Sequence, residues 1–592
     1  MGLGDFVHKL TRRKHIKVDS LETSLSRCLT TFDVAVLGIG NMVGGGIYVL
    51  TGQVARRITG PAVALSFICA GFASILSALC YAEFGTWVPR AGSAYTYTYV
   101  TVGEFSAFVV GWSLLLEHVI GAAGVARTWS AYVNSLSGNR IGNWSVTTFH
   151  GPWNQGRLDF MSEGPDFVAA GIVLTVSIFV ASGAKCSTRF NHFFTTWNVI
   201  VIGFIVFYGL SFAHFSYWTA DFLPNGVGSI LAGASRCFFA YIGFDTVATA
   251  AEEAKDPGKT VPRATLVSMS FVSTAYILMS STLTLMVPWQ EIDPAAAFAS
   301  AFDYVGSSWA RYVVSVGAIS GMTTALAGHL FALPRCIYAM ADDGLIFRWL
   351  GIVHPWTQVP SGSIMLAGFT IASVAAVIST DTLVDLLSMG TLLAYAFVSL
   401  CILLLRYKGS SLLVGDSYAP LCEEKEGVVD FVDPEDEASA PSEKGYCWPC
   451  RIGPPTGILL AFLIFCILFF SFVLSLSVGY ARENTQALIG LVVIGAAGLI
   501  ASTLVLGIHK QSVPDSVKFK VPLVPLIPIL SIVTNLVLMM SLTSLTWARL
   551  FGWLALGLII YFAYGIRNST ENNPDQMNTM KLSGLRSGSK SQ

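Results

Sequence analysis

Gly38-Ile39-Gly40-Asn41-Met42-Val43-Gly44-Gly45-Gly46-Ile47-Tyr48 is the stretch on which the reading of this chain turns. It lies inside an apolar segment at 32–55, long enough to cross a bilayer, which takes about 20 residues. Five of the nine residues from Gly38 to Gly46 are glycine. Each costs a continuous helix about 1 kcal/mol against alanine. In hydrocarbon, unwound backbone persists only where it is buried in protein or lines a watery cavity. The stretch therefore predicts a helix broken near Val43, Gly44, Gly45 and Gly46, whose second half starts at mid-membrane. Its free amides and the positive end of its dipole would face a cavity, a seat for an anion such as a carboxylate. The same glycines would also serve a Gly-xxx-Gly helix contact, and the pattern alone leaves both readings open.

The rest of the chain sets this stretch in a bilayer. Of 592 residues, 53% are hydrophobic and 12% charged, against about 25% charged in soluble domains. The composition predicts an all-α polytopic membrane protein, and a net charge of −1 implies no nucleic-acid partner. Eleven cysteines are scattered, mostly in apolar spans, where they act as small apolar residues. The polar first 30 residues or so contain no cleavable signal peptide. Apolar spans follow at 32–55, 61–87, 94–120, 165–183, 191–214, 227–251, 262–287, 307–334, 360–379, 382–405, 455–478, 486–508, 521–543 and 546–566. About fourteen helices place both termini on one side. Of the 35 lysines and arginines, 25 fall on the segments sharing a side with the N-terminus and 6 on the opposite side, so both termini are expected in the cytoplasm. The expected organisation is a cytoplasmic segment at 1–31, a ten-helix core at 32–405, an acidic disordered loop at 406–454, four further helices at 455–566 and a cytoplasmic tail at 567–592. Asn143-Trp144-Ser145 is a glycosylation sequon on the outer side. Cys447-Trp448-Pro449-Cys450 lacks a thioredoxin-like context and reads as juxtamembrane cysteines, with palmitoylation as the lesser alternative.

Span six repeats the signal of span one. Cys237-Phe238-Phe239-Ala240-Tyr241-Ile242-Gly243-Phe244-Asp245-Thr246 sets a glycine beside an acid midway through a span. Spans one and six each open a set of five and run in opposite directions. Broken elements at corresponding places in two halves indicate an inverted repeat, here about 32–214 and 227–405. The first half of span six should end in unpaired carbonyls at Phe239, Ala240 and Ile242, suited to an ammonium group. Amides on one break and carbonyls on the other suit a zwitterion, while a kinked packing helix with a structural aspartate is the plainer reading of span six. Glu104, about ten residues into span three and so near mid-membrane, could recognise a cationic side chain or hold a helix carbonyl network. Asp245 is expected to steady the unwound backbone. Glu117 reads as interfacial, Glu83 and Asp33 as capping or interfacial, and His118, His214 and His329 as isolated structural residues. Arg236 lies near the expected pathway and would repel a cation unless it faces away or is paired. No metal-ligand spacing, nucleophile pattern or phosphate loop stands out, so no enzyme, metal or cofactor is expected.

Several motifs carry a family resemblance: the first broken span through Tyr48-Val49-Leu50-Thr51-Gly52, Tyr81-Ala82-Glu83-Phe84-Gly85, Val102-Gly103-Glu104, Phe239-Ala240-Tyr241-Ile242-Gly243-Phe244-Asp245, Leu387-Ser388-Met389-Gly390-Thr391 and Val521-Pro522-Leu523-Val524-Pro525. Together they resemble the cationic amino acid transporter subfamily of solute carrier family 7. The resemblance implies a LeuT-like 5+5 core with four helices appended. It implies sodium-independent movement of arginine, lysine and ornithine across the plasma membrane. It implies substrate contacts at Val43, Gly44, Gly45, Gly46, Phe239, Ala240, Ile242 and Glu104. Asn198 stands where bacterial relatives place a lysine, which fits a uniporter. Residues 121–164 contain no cysteine, so no disulfide-linked heavy chain is expected as a partner.

Overall fold

The computed structural model describes residues 3–14, 27–88, 92–138, 140–154, 161–162, 164–294, 296–354, 356–379, 382–383, 389–408, 455–479, 485–511, 518–540, 542 and 544–572. The acidic loop at 409–454, with Cys447 and Cys450, and the tail from 573 lie outside the described residues. Among the described residues the chain is helical, with ten stretches long and apolar enough to cross a membrane and three shorter apolar helices, Phe167–Ala181, Ser361–Val377 and Leu526–Met540.

The helix that opens span one, Thr31–Met42, starts on a capping box: the Thr30 hydroxyl accepts from the Asp33 amide while the Asp33 carboxylate accepts from the Thr30 amide at 2.8 Å. Two otherwise orphaned amides are thereby satisfied, and Asp33 does cap. The helix stops at Val43, whose φ of −82° and ψ of 83° are not helical. It resumes at Gly46 and runs on to Thr59 with wide π-type turns at Gly46–Leu50 and Ala55–Thr59. Span six is interrupted in the complementary sense. Gly228–Cys237 tightens into a 3-10 turn at Phe238–Tyr241, Ile242 is extended, Gly243 takes φ +129°, and Asp245–Thr249 resumes the helix. At Gly243 a side chain would be strained by that φ and would bring its Cβ within 2.8 Å of Asn41 Nδ2.

Span three departs from its expected bounds of 94–120. Ala94–Thr101 is a separate eight-residue helix, the chain breaks at Val102–Gly103, and the membrane-length helix is Glu104–Leu136. Eight residues advance only about 12 Å, too little to reach mid-membrane. Gly103 holds φ +142°, and a Cβ there would lie 3.0 Å from the Thr11 carbonyl oxygen, so the N-terminal segment packs directly on this break. Asn143 is exposed on the Arg140–Asn154 helix.

Glu83 is a correction to the sequence reading. Instead of capping, it is fully buried and takes two bonds of 2.8 Å from the Arg406 guanidinium and one of 2.6 Å from the Val521 amide. This joins the Val63–Trp87 helix to the ends of Met389–Lys408 and of the C-terminal helices. Removing one member of a buried pair costs about 3–5 kcal/mol. Glu83→Gln is accordingly expected to lower the thermal midpoint of the detergent-purified protein by several degrees, measured by intrinsic fluorescence; an unchanged midpoint would show that this pair does not hold the halves together.

Candidate functional site

The two breaks meet. A Cβ on Gly46 would sit 2.5 Å from Ala240 Cα, and one on Gly44 would sit 2.4 Å from Ala325 Cβ. Glycine at these positions is what lets the two unwound segments and the Ser308–Asp342 helix approach. Three polar side chains then tie the freed backbone. Asn41 donates to the Gly243 carbonyl at 3.3 Å and to the Thr246 hydroxyl at 3.1 Å. Asn198 donates to the Val43 carbonyl at 3.1 Å and accepts from the Tyr48 hydroxyl at 2.6 Å. The Tyr276 hydroxyl lies between two carbonyls, 2.6 Å from Met42 and 2.8 Å from Ala240, one on each break.

This arrangement refines the expected set of free carbonyls. Phe239 O accepts from the Ile242 amide at 3.1 Å, and Ala240 O faces Tyr276. Each carbonyl has a second lone pair, so these oxygens retain acceptor capacity but are not unpaired. On the first break, the Gly44 amide bonds to the Met42 carbonyl at 3.0 Å. The opening amides of the second half-helix, from Gly46 onward, belong to the turn that has no intrahelical partner. Val43 and Ala240 are buried and Phe239 half-buried around the meeting point, with Ile242 buried beside them.

Glu104 lies elsewhere. It begins its helix, and its carboxylate receives Arg12 Nε at 2.5 Å, Arg12 Nη2 at 2.7 Å, Tyr99 at 2.7 Å, Tyr561 at 2.9 Å and Ser569 at 2.6 Å. Arg12 also reaches the Ile566 carbonyl at 3.2 Å. Burial pulls the Arg12 guanidinium down, and the hydrogen bond and charge of Glu104 more than offset this, leaving it raised. Lys14 meets Asp343 at 2.6 Å, at the end of the Ser308–Asp342 helix. Burial pushes the Asp343 carboxyl up, against the opposing pull of Lys14. The mid-membrane placement expected for Glu104 is thus corrected: this acid fastens both chain ends across one end of the bundle, because the span begins ten residues later than the apolar count indicates.

Two further expectations change. Glu117, expected at an interface, is buried well inside Glu104–Leu136. His118 and His329, expected to be isolated, face each other with Nδ1 atoms 3.3 Å apart, and His118 Nε2 is 3.7 Å from Asp245 Oδ2. Asp245 opens the helix after the second break. Arg236 is exposed while Ser235 and Cys237 on either side of it are buried. Sequence reasoning passed over Asn41, Tyr48 and Tyr276. Asn41 lay inside the quoted stretch, and an amide side chain in mid-membrane was the available signal.

A family model for amino acid permeases matches residues 29–422, and one for the C-terminus of such permeases matches 519–569. The chain is 43% identical to mouse cationic amino acid transporter 4, over 97% of this chain and 93% of that protein. It is also 43% identical to human cationic amino acid transporter 4, over 96% and 92%. The methylthioribose transporter of Bacillus subtilis is 37% identical over 67% of this chain and 86% of its own length. Half-helices that meet at their breaks and are tied there by buried amides and a tyrosine are therefore found in a chain that belongs to the amino acid permease family.

Proposed function

We propose that this chain moves cationic amino acids such as arginine, lysine and ornithine across the plasma membrane, without sodium, by alternating access. The observation that carries this reading is the pairing of complementary breaks at Gly46 and Ala240. A half-helix N-terminus attracts a carboxylate, and a half-helix C-terminus with spare carbonyl lone pairs attracts an ammonium group. The α-carboxylate would sit on the amides at Val43, Gly44, Gly45 and Gly46, the α-amino group against Phe239, Ala240 and Ile242. The names of the mammalian relatives support a cationic cargo.

The proposed architecture is fourteen helices: a 5+5 inverted repeat at 32–405, then four more. Both termini would be cytoplasmic and Asn143 glycosylated outside. The Arg12–Glu104–Ser569 network supports termini on a shared side. In this scheme Asn198 replaces a coupling cation with a neutral donor to Val43, which suits movement driven by the membrane potential alone.

Purified protein in sodium-free proteoliposomes is expected to take up labelled arginine faster when the interior is made negative, and to take up leucine poorly. Leucine uptake exceeding arginine uptake would favour a neutral cargo, and no flux of either would overturn the proposal. Gly46→Ala forces a Cβ against Ala240 and is expected to cut arginine uptake at least tenfold, with surface biotinylation showing normal delivery. Undiminished uptake would remove this contact from the transport path.

A further inference from the structure

Away from the two breaks, the described residues enclose a cavity of about 400 Å³ at the end of span three opposite Glu104. It lies where the Glu104–Leu136 helix, the Arg140–Asn154 helix and the start of Phe167–Ala181 come together. Small-molecule pockets measure about 300–1,000 Å³. Span three turns one face to this cavity and another to the first break. Arg127, Ser130, Ala131 and Asn134 line the cavity at the i, i+3, i+4, i+7 spacing of a single helix face. Val125 and Thr128 instead stand within 4.0 Å of where a Cβ on Gly45 would be. The cavity is therefore separate from the meeting of the breaks, with span three as the wall between them.

Two opposite charges line it without pairing. Arg127 is half-buried and donates one N–H, to the Ala375 carbonyl at 3.1 Å. The rest of its five donors have no partner among the described residues. Asp166 accepts on one oxygen from the Ser130 hydroxyl at 2.8 Å and from the Ala169 amide at 2.9 Å, the second bond capping Phe167–Ala181. Its other oxygen accepts nothing among the described residues. The two groups lie close enough to act on each other's charge, yet no ion pair joins them. Their anchors keep them apart. Arg127 is tied to the Ala375 carbonyl and the Asp166 amide to the next one, Ala376, at 3.0 Å. Much of the remaining wall is apolar, including Ile141, Trp144, Val146 and Phe167. The Trp144 and Phe167 rings are 57% and 51% exposed, so a ligand's side chain would find apolar area to cover.

We propose that this cavity binds a free neutral amino acid with an apolar side chain. Arg127 takes its carboxylate, Asp166 takes its ammonium group, and its side chain lies against Trp144 and Phe167. A lone anion would gain Arg127 and be repelled by Asp166, and a lone cation the reverse. A ligand that carries both charges satisfies both groups. The spare N–H fork of a guanidinium matches a carboxylate with two parallel bonds. Asp166 is the one acid among the lining residues, so a ligand with a cationic side chain would find no second counter-charge here. The inference goes beyond the transport of cationic amino acids and does not depend on it: this seat prefers the opposite kind of side chain and leaves the breaks free for arginine.

The test uses phenylalanine as the probe, beside phenethylamine, which lacks the carboxylate, and 3-phenylpropionate, which lacks the ammonium group. Binding is measured by isothermal titration calorimetry on the detergent-purified full chain in saturating arginine. Phenylalanine is expected to bind wild type and Gly46→Ala alike, and each one-charge analogue at least tenfold more weakly. Arg127→Gln and Asp166→Asn, the latter keeping a side chain that caps a helix, are each expected to weaken phenylalanine at least tenfold while labelled arginine uptake stays within twofold of wild type. Trp144→Ala, which leaves Asn143 and Ser145 of the sequon in place, is expected to weaken it threefold or more with the thermal midpoint of the unliganded protein unchanged. The inference is overturned if wild type does not bind phenylalanine, if either analogue binds as tightly, if arginine displaces the probe, or if Arg127→Gln binds it undiminished. Absence of arginine uptake would overturn the cationic cargo and leave phenylalanine binding at Arg127 and Asp166 intact, so the two failures are distinguishable.

Discussion

A backbone that unwinds inside lipid must find partners for its amides and carbonyls, and this requirement organises the bundle. Each released carbonyl without a partner would cost several kcal/mol in hydrocarbon. Asn41, Asn198 and Tyr276 meet that demand from three different helices. Asn41 belongs to the first break and binds the second; Tyr276 belongs to neither and touches both. The breaks are therefore a joint property of spans one, five, six and seven. A tyrosine hydroxyl has one proton for two carbonyls, and since the Gly44 amide also donates to Met42, it is the Ala240 carbonyl that loses its donor when the hydroxyl turns to Met42. An arriving ammonium group would remove that competition.

Charge is distributed to match. Buried pairs hold the rim: Glu104 to Arg12, Glu83 to Arg406 and Glu253 to Arg335. Each is anchored by further bonds to backbone or hydroxyls, which is the condition under which a buried pair offsets its desolvation. Toward the centre the acids lose their arginines, and Glu117 and Asp245 are left among hydroxyls. The contrast is chemical rather than positional.

How much of this was legible in the sequence depends on what each feature needs. The broken spans were legible because glycine content reports backbone cost directly, and Gly44, Gly46 and Gly243 sit where close approach or a positive φ demands them. The capping role of Asp33 was one of the two readings its place near the inner end of span one allowed, and Thr30 supplies the partner. Span three was misjudged because an apolar count cannot see the interruption at Val102–Gly103, and Ala94–Thr101 is apolar enough to pass for membrane while being too short to cross it. That error moved Glu104 inward by a helix and hid Glu117, whose depth was taken for an interface. The histidine pair was hidden for a different reason: His118 and His329 are 211 residues apart, and no local pattern records that their helices cross.

Arg236 shows where one-dimensional reading ends. Its depth in span six could be counted, and by depth alone it threatens a cationic pathway. What decides its effect is rotation about the helix axis, and rotation is set by the neighbours. Gly233 has no room for a Cβ, with Ser66 and Thr59 atoms 2.5 Å from where one would stand, so this side of Gly228–Cys237 is pressed against the preceding hairpin. Ser66 adds a bond of 2.9 Å to the Ile230 carbonyl on the same side. Arg236, three positions after Gly233, lies on a neighbouring strip of the same face, at the exposed edge of that contact. The small residues at 233–235 thus fix the turn of the helix, and that turn, which no count along the chain records, decides where the arginine of span six emerges.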